Sequence, residues 1–127
     1  MNALIPLNVL IAEPDRETRT ALADVLEAFG ARAWGAEDGA SALRIARQVP
    51  LRASIIDVAL PDVPGLKLLS LLRAVCEVPV MFIGAPESKE IRLQMADAGV
   101  WSFLPRPFDR EVAMLTIQVF ATRFLVG

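Results

Sequence analysis

Short runs of consecutive apolar residues alternate along this chain with longer segments whose apolar positions recur every three or four residues. Val9–Ala12 is an unbroken apolar run, the pattern of a strand covered on both faces. After Pro14, Asp15 has the chemistry of a helix N-cap. Leu22, Val25, Leu26 and Phe29 follow at i, i+3, i+4 and i+7, and Gly30 is placed to close the helix. The same phrase then recurs. A strand over 31–34 leads to Asp38, which caps a helix carrying Ala42, Ile45, Ala46 and Val49 on one face. A strand over 53–57 is followed by a loop with Pro61, Pro64 and Gly65, and a leucine-rich helix over about 65–75. The pattern next predicts a strand over 78–83, a helix over about 88–98 stopped by Gly99, a strand over 100–104, and a last helix from Asp109 onward.

Five strands alternating with five helices is the sequence form of an α/β domain with a doubly wound parallel sheet. Right-handed crossovers with both sheet faces covered make the flavodoxin-like strand order 2-1-3-4-5 the expected arrangement at this length. The 127 residues suffice for one such domain and leave no room for a second core.

Composition sharpens this picture at four points. Hydrophobic residues make up 54%, and glycine brings the apolar share to about 60%, against about 45–50% in ordinary soluble domains. That excludes a disordered chain. It does not make a membrane protein, because the longest apolar runs, such as Val78–Pro86, are far shorter than the ~18–20 residues of a spanning helix. Net charge is −2 with no basic run, so direct nucleic-acid binding is not expected. The single Cys76 excludes an internal disulfide. The N-terminus has no basic segment ahead of an apolar one, so a cytoplasmic protein without a secretory signal is expected. There is no histidine, which removes Ser-His and Cys-His nucleophiles, histidine metal sites and any phosphohistidine chemistry on this chain.

Open parallel sheets bind ligands beyond the carboxyl ends of their strands, where the strand order reverses. For order 2-1-3-4-5 that is the gap between strands 1 and 3, and here those strands end in Glu13 and Asp57. One such acid alone reads as a turn or cap residue; two on neighbouring strand ends make a site an equal contender. Asp15 is better explained as a helix cap. Arg106, between Pro105 and Pro107 beyond strand 5, reads either as a solvent-exposed cation or as one reaching the same edge.

These residues stand in phrases that resemble the receiver domains of bacterial two-component response regulators over essentially the whole chain. The phrases are Val9–Glu13, Ala36–Leu43, Ile55–Leu66 with its Asp57-x-x-x-Pro61-x-x-x-Gly65 spacing, Asp97–Val100, and Phe103–Asp109 with its basic-Pro-Phe sequence. The resemblance implies that Asp57 accepts a phosphoryl group from the phosphohistidine of a sensor histidine kinase or phosphotransfer protein, with Mg²⁺ offsetting the repulsion between two anions. It further implies that Glu13, Asp57 and the Ala59 carbonyl are metal ligands, that Arg106 pairs with the phosphoryl group, and that Phe103 is the switch aromatic. Residues 1–127 are then expected to be a single receiver-like domain with no effector domain within them, so DNA-binding or enzymatic output would belong to another segment.

Three positions depart from the family pattern. The second acid that usually ends strand 1 and binds Mg²⁺ is Pro14, which has no carboxylate, so a weak metal site is expected. The Ser/Thr hydroxyl at the end of strand 4 is Gly84, and the usual Lys is Arg106, which keeps the charge with a different geometry. Two functions from different classes follow. One is a phosphorylatable receiver signalling through the face of helix 4, strand 5 and helix 5; the other is a phosphorylation-independent pseudo-receiver acting as an interaction or dimerisation module. An aspartate-nucleophile phosphohydrolase is remote, since the second acid such enzymes need two residues on is Ala59. A flavin or nucleotide site lacks a Gly-rich loop after strand 1.

The apolar surplus concentrates in the last helix. Val112, Leu115, Val119 and Phe120 can form a core stripe, which leaves Met114, Ile117, Ala121 and Phe124 as a second stripe exposed in a monomer. Such a patch points to a homodimer or a docked protein partner.

Overall fold

The computed structural model describes residues 7–86 and 88–125. The chain runs β1 (Leu7–Ala12), α1 (Arg16–Ala28), β2 (Ala31–Ala36), α2 (Gly39–Gln48), β3 (Ala53–Asp57), α3 (Gly65–Arg73), β4 (Val80–Ile83), α4 (Lys89–Asp97), β5 (Ser102–Leu104) and α5 (Arg110–Phe124). The five strands form one parallel sheet in the order β2-β1-β3-β4-β5, which is the topology the alternation predicts.

Strand side chains alternate between two cores. Val9, Ile11, Ile55, Met81, Ile83 and Leu104 face α1 and α5, where they meet Leu22, Leu26, Ala113, Ile117 and Phe120. Leu10, Ala12, Ile56, Val80 and Phe82 face α2, α3 and α4, against Ala42, Leu68, Leu69, Leu72 and Met95. Both faces of the central strands are therefore dry, which is why their sequences are continuously apolar rather than alternating.

The helix starts follow their caps. Asp15 accepts from the Thr18 N–H at 2.9 Å, Asp38 from Ser41 at 2.8 Å, Ser88 from Ile91 at 3.1 Å and Asp109 from Val112 at 2.8 Å, each satisfying a donor that the first helical turn leaves free. The N-terminus of α2 has a second carboxylate. Asp62, from the loop after β3, accepts from the Gly39 N–H at 2.8 Å and the Ala40 N–H at 3.0 Å.

Two strands are shorter than the apolar runs predict. β4 starts at Val80 rather than 78 because Pro79 has no N–H to give the ladder, although its carbonyl accepts from Ser54. β5 starts at Ser102 rather than 100 because the Val100 N–H is drawn to the Met95 carbonyl at the end of α4. β2 runs two residues longer, to Ala36, paired along the whole of β1.

α5 is turned largely the other way from the sequence expectation, although Phe120 faces the core and Met114 faces outward as expected. Ile117, Phe120 and Ala121 are fully buried, whereas Val112, Leu115 and Val119 are 45–59% exposed. Of the predicted outer stripe only Met114 is exposed, and Phe124 is half-buried. The reason is tertiary. Trp101 packs at a tilt against Phe120 and edge-to-face against Phe124, with centroids 5.4 and 5.6 Å apart, and this aromatic cluster decides which side of an all-round apolar helix faces the sheet. Among the described residues no helix is long and apolar enough to cross a membrane.

Candidate functional site

β1 and β3 are neighbours with Ala12 opposite Ile56, so the residues that follow, Glu13 and Asp57, emerge side by side at the carboxyl edge. Glu13 lies one residue beyond β1, where its N–H still donates to the Ala36 carbonyl of β2 at 2.9 Å. Both acids are buried, with side chains 1% and 7% exposed. Arg106, in the loop between β5 and α5, reaches into the gap. Its Nη2 donates to Asp57 Oδ2 at 2.7 Å and makes a short ion pair with Glu13 Oε1. The remaining carboxylate oxygens are also engaged. Glu13 Oε2 accepts from the Asp15 N–H at 2.9 Å, and Asp57 Oδ1 from the Ala59 N–H at 2.9 Å. Burial pushes the Glu13 carboxyl above its ordinary value, with the Asp57 charge adding to the rise; the Asp15 N–H and Arg106 oppose it.

The turn carrying Glu13 is pinned from α1, because Arg19 Nη1 donates to the Glu13 carbonyl at 2.7 Å and to that of Pro14 at 3.3 Å. Asp15 does not join the acid pair. Its carboxylate is spent on the Thr18 hydroxyl at 2.6 Å and the Thr18 N–H, which hold it below the usual aspartate value. On the far side, Gly65 explains its place in the phrase after Asp57. A Cβ there would stand 2.6 Å from both the Asp57 carbonyl and the Phe82 ring, so the start of α3 can approach the acid only without a side chain.

Gly84, just beyond β4, has φ +98° and donates its N–H to the Leu104 carbonyl at 2.8 Å. Phe103 is half-buried and stacks on Phe82 with centroids 6.2 Å apart. A groove of about 770 Å³ that neither acid lines opens beside the loop after Asp57, between the Val58–Pro64 segment and the faces of α3 and α4 that carry Leu66, Lys67, Ile91 and Met95.

The structure thus brings Glu13, Asp57 and Arg106 into one contact, with Ala59 lending its N–H. The resemblance implies a divalent cation here, but the donor set does not fit one. Pro14 supplies no carboxylate, Asp15 is turned to its helix, and Arg106 holds an oxygen of each acid. Among the described residues no group of three His, Cys, Asp or Glu could hold a metal ion. Sequence reasoning missed Arg19 and Asp62. Both act on main-chain groups, Arg19 on carbonyls five and six residues before it and Asp62 on the distant start of α2, and neither has a side-chain partner that a sequence motif would flag.

A parallel α/β sheet with two acids and a cation at its topological switch point defines a doubly wound domain with its candidate site where such folds bind ligands. The family is more specific: residues 9–118 match the model of the response regulator receiver domain, and this chain belongs to that family. It is 28% identical over 120 residues to "Response regulator MprA" of Mycobacterium sp. (strain KMS), covering 94% of this chain and 52% of that protein. It is 29% identical over 115 residues to "Transcriptional regulatory protein KdpE" of Mycobacterium tuberculosis (strain CDC 1551 / Oshkosh), covering 91% of this chain and 51% of that one. The chain spans about half the length of these curated relatives. In fold it is similar to a CheY-like receiver domain protein from Methanospirillum hungatei JF-1, with a TM-score of 0.80 at 18% identity over 93% of this chain and 95% of that one. It is also similar to the chemotaxis protein CheY4 of Vibrio cholerae, with a TM-score of 0.77 at 23% identity over 90% and 98%. Receiver domains of this family are in general not enzymes, and they interact with histidine kinases or phosphotransfer proteins.

Proposed function

We propose that this receiver domain works in the cytoplasm as a protein-docking module whose output does not depend on Mg²⁺-assisted phosphotransfer to Asp57. The observation that carries this reading is the engagement of Asp57. One carboxylate oxygen is held by Arg106 and the other by the Ala59 N–H, so the acceptor is tied up, and among the described residues no third acid joins Glu13 and Asp57 to recruit a metal. Output then rests on the surface of α4, β5 and α5, where Leu93, Val112, Leu115 and Val119 expose apolar area suited to a protein partner or a second copy.

Conventional phosphorylation is the second reading, favoured by the survival of Asp57 at the end of β3. There Arg106 would leave the acids to pair with the incoming phosphoryl group, and Phe103 would report its arrival. Incubation with acetyl phosphate or beryllofluoride and Mg²⁺ separates the two. Docking without phosphotransfer predicts no +80 Da adduct by intact mass and no Mg²⁺-dependent change in Trp fluorescence. A stoichiometric adduct overturns it.

A further inference from the structure

Two buried carboxylates side by side cannot both stay ionised without a positive charge between them. In this pocket that charge comes from the chain. Arg106 Nη2 bridges Glu13 Oε1 and Asp57 Oδ2, and main-chain N–H groups of Asp15 and Ala59 take up the other two oxygens. All four oxygens have a donor. The guanidinium is the only cation in contact with the acids among the described residues, and its side chain is 40% exposed, so it enters from the rim and stoppers the pocket.

We propose that Arg106 is the resident cation of this acid pocket, standing where a divalent ion would neutralise Glu13 and Asp57 and closing the pocket to that ion. The inference deepens the docking reading and rests on it for its significance. Mg²⁺ loses its water reluctantly and favours near-octahedral oxygen geometry. To enter, it would have to displace a paired guanidinium while gaining only two carboxylates. Asp at position 14 alone would not reverse this, because the guanidinium charge would remain against the site.

The test is Mn²⁺ and Mg²⁺ titration followed by calorimetry and, for Mn²⁺, by electron paramagnetic resonance, with a thermal melt to establish folding. The parent should show no saturable binding in the pocket. Arg106→Gln should bind Mn²⁺ at least about tenfold more tightly than the parent, a difference of about 1.4 kcal/mol, and its melting temperature should rise with added metal. Arg106→Lys should stay as refractory as the parent. The double variant Arg106→Gln/Pro14→Asp should bind more tightly again, whereas Pro14→Asp alone should gain little. The proposal is overturned if the parent binds Mn²⁺ as well as Arg106→Gln does, or if folded Arg106→Gln gains nothing. Should Arg106→Gln fail to fold, tight binding by Pro14→Asp alone overturns it and continued refusal upholds it. The outcomes are separable from those of the docking reading. An acetyl-phosphate adduct formed in the presence of a chelator defeats that reading and leaves this one standing; metal binding by the parent without an adduct does the reverse.

Discussion

Restoring a side chain at Gly84 should be costly, and the cost can be resolved into two parts. The residue has φ +98°, a conformation that costs an L-residue about 1–2 kcal/mol. An added Cβ would also lie 2.8 Å from Val58 Cγ2, and an overlap of that kind costs about 1–3 kcal/mol, toward the lower end here because half-buried Val58 can shift. Gly84→Ala should therefore lose about 2–4 kcal/mol. At about 2.1 cal/mol/K per residue the unfolding entropy of this chain is near 0.27 kcal/mol/K, so the melting temperature should fall by about 7–15 °C. Gly30 is the internal control, with φ +85° and open space around its missing Cβ; Gly30→Ala should show the backbone cost alone, about 1–2 kcal/mol. Combining Gly84→Ala with Val58→Ala should recover about 1 kcal/mol as a coupling energy in a double-mutant cycle. Calorimetric melts of the parent, the Gly84→Ala, Gly30→Ala and Val58→Ala variants and the double variant measure these effects. A Gly84→Ala chain melting within about 2 °C of the parent would refute the strained backbone, and zero coupling would refute the Val58 contact. The functional corollary is that Gly84→Ser should not by itself return a phosphoryl-contacting hydroxyl to a well-folded pocket.

Three further outcomes are expected. Ile117→Ala on the buried side of α5 should cost about 2–5 kcal/mol, while Val119→Ala on the outer side should stay within about 0.5 kcal/mol; equal losses by thermal melt would mean the helix is turned the other way. Because the Glu13 carboxyl is raised above its ordinary 4.5, the folded chain holds more protons than the unfolded one just above that pH. Its contribution to stability is complete below pH 4.5 and lost as the pH rises through the folded value. Denaturation from pH 4.5 to 7 should show a flatter profile for Glu13→Gln than for the parent, and identical slopes would contradict the shift. Finally, the parent should self-associate by light scattering at high concentration and Leu115→Glu should not, without loss of melting temperature; a parent that stays monomeric assigns the outer stripe of α5 to a different protein.

The sheet was legible because its punctuation is local. Asp15, Asp38, Ser88 and Asp109 cap the helices that the spacing predicted, and dry strands announce themselves as apolar runs. The acid pair was legible for the same reason, since each acid ends its own strand. Arg106 was only half legible. Its charge and its place after strand 5 were visible, but whether it meets solvent, phosphate or the acids depends on contacts 93 and 49 residues away. The orientation of α5 was not legible at all. An all-round apolar helix has no periodic preference, so the choice fell to Trp101, Phe120 and Phe124, a cluster that exists only once β5 and α5 have packed.

The carboxylate of Asp62 has a consequence for association. By holding the first two N–H groups of α2, it ties the loop after β3 to a neighbouring helix, while Gly65 N–H anchors the loop's other end on the Val58 carbonyl. A loop left free at the mouth of the site would have to surrender its conformational entropy whenever a partner settled there, at about 1–2 kcal/mol for each residue fixed. Here that ordering is completed during folding, so a partner meets a preformed rim and keeps more of its contact energy as affinity. Asp62→Ala should accordingly slow capture less than it hastens release, because the encounter is unchanged while the bound loop is freer to peel away.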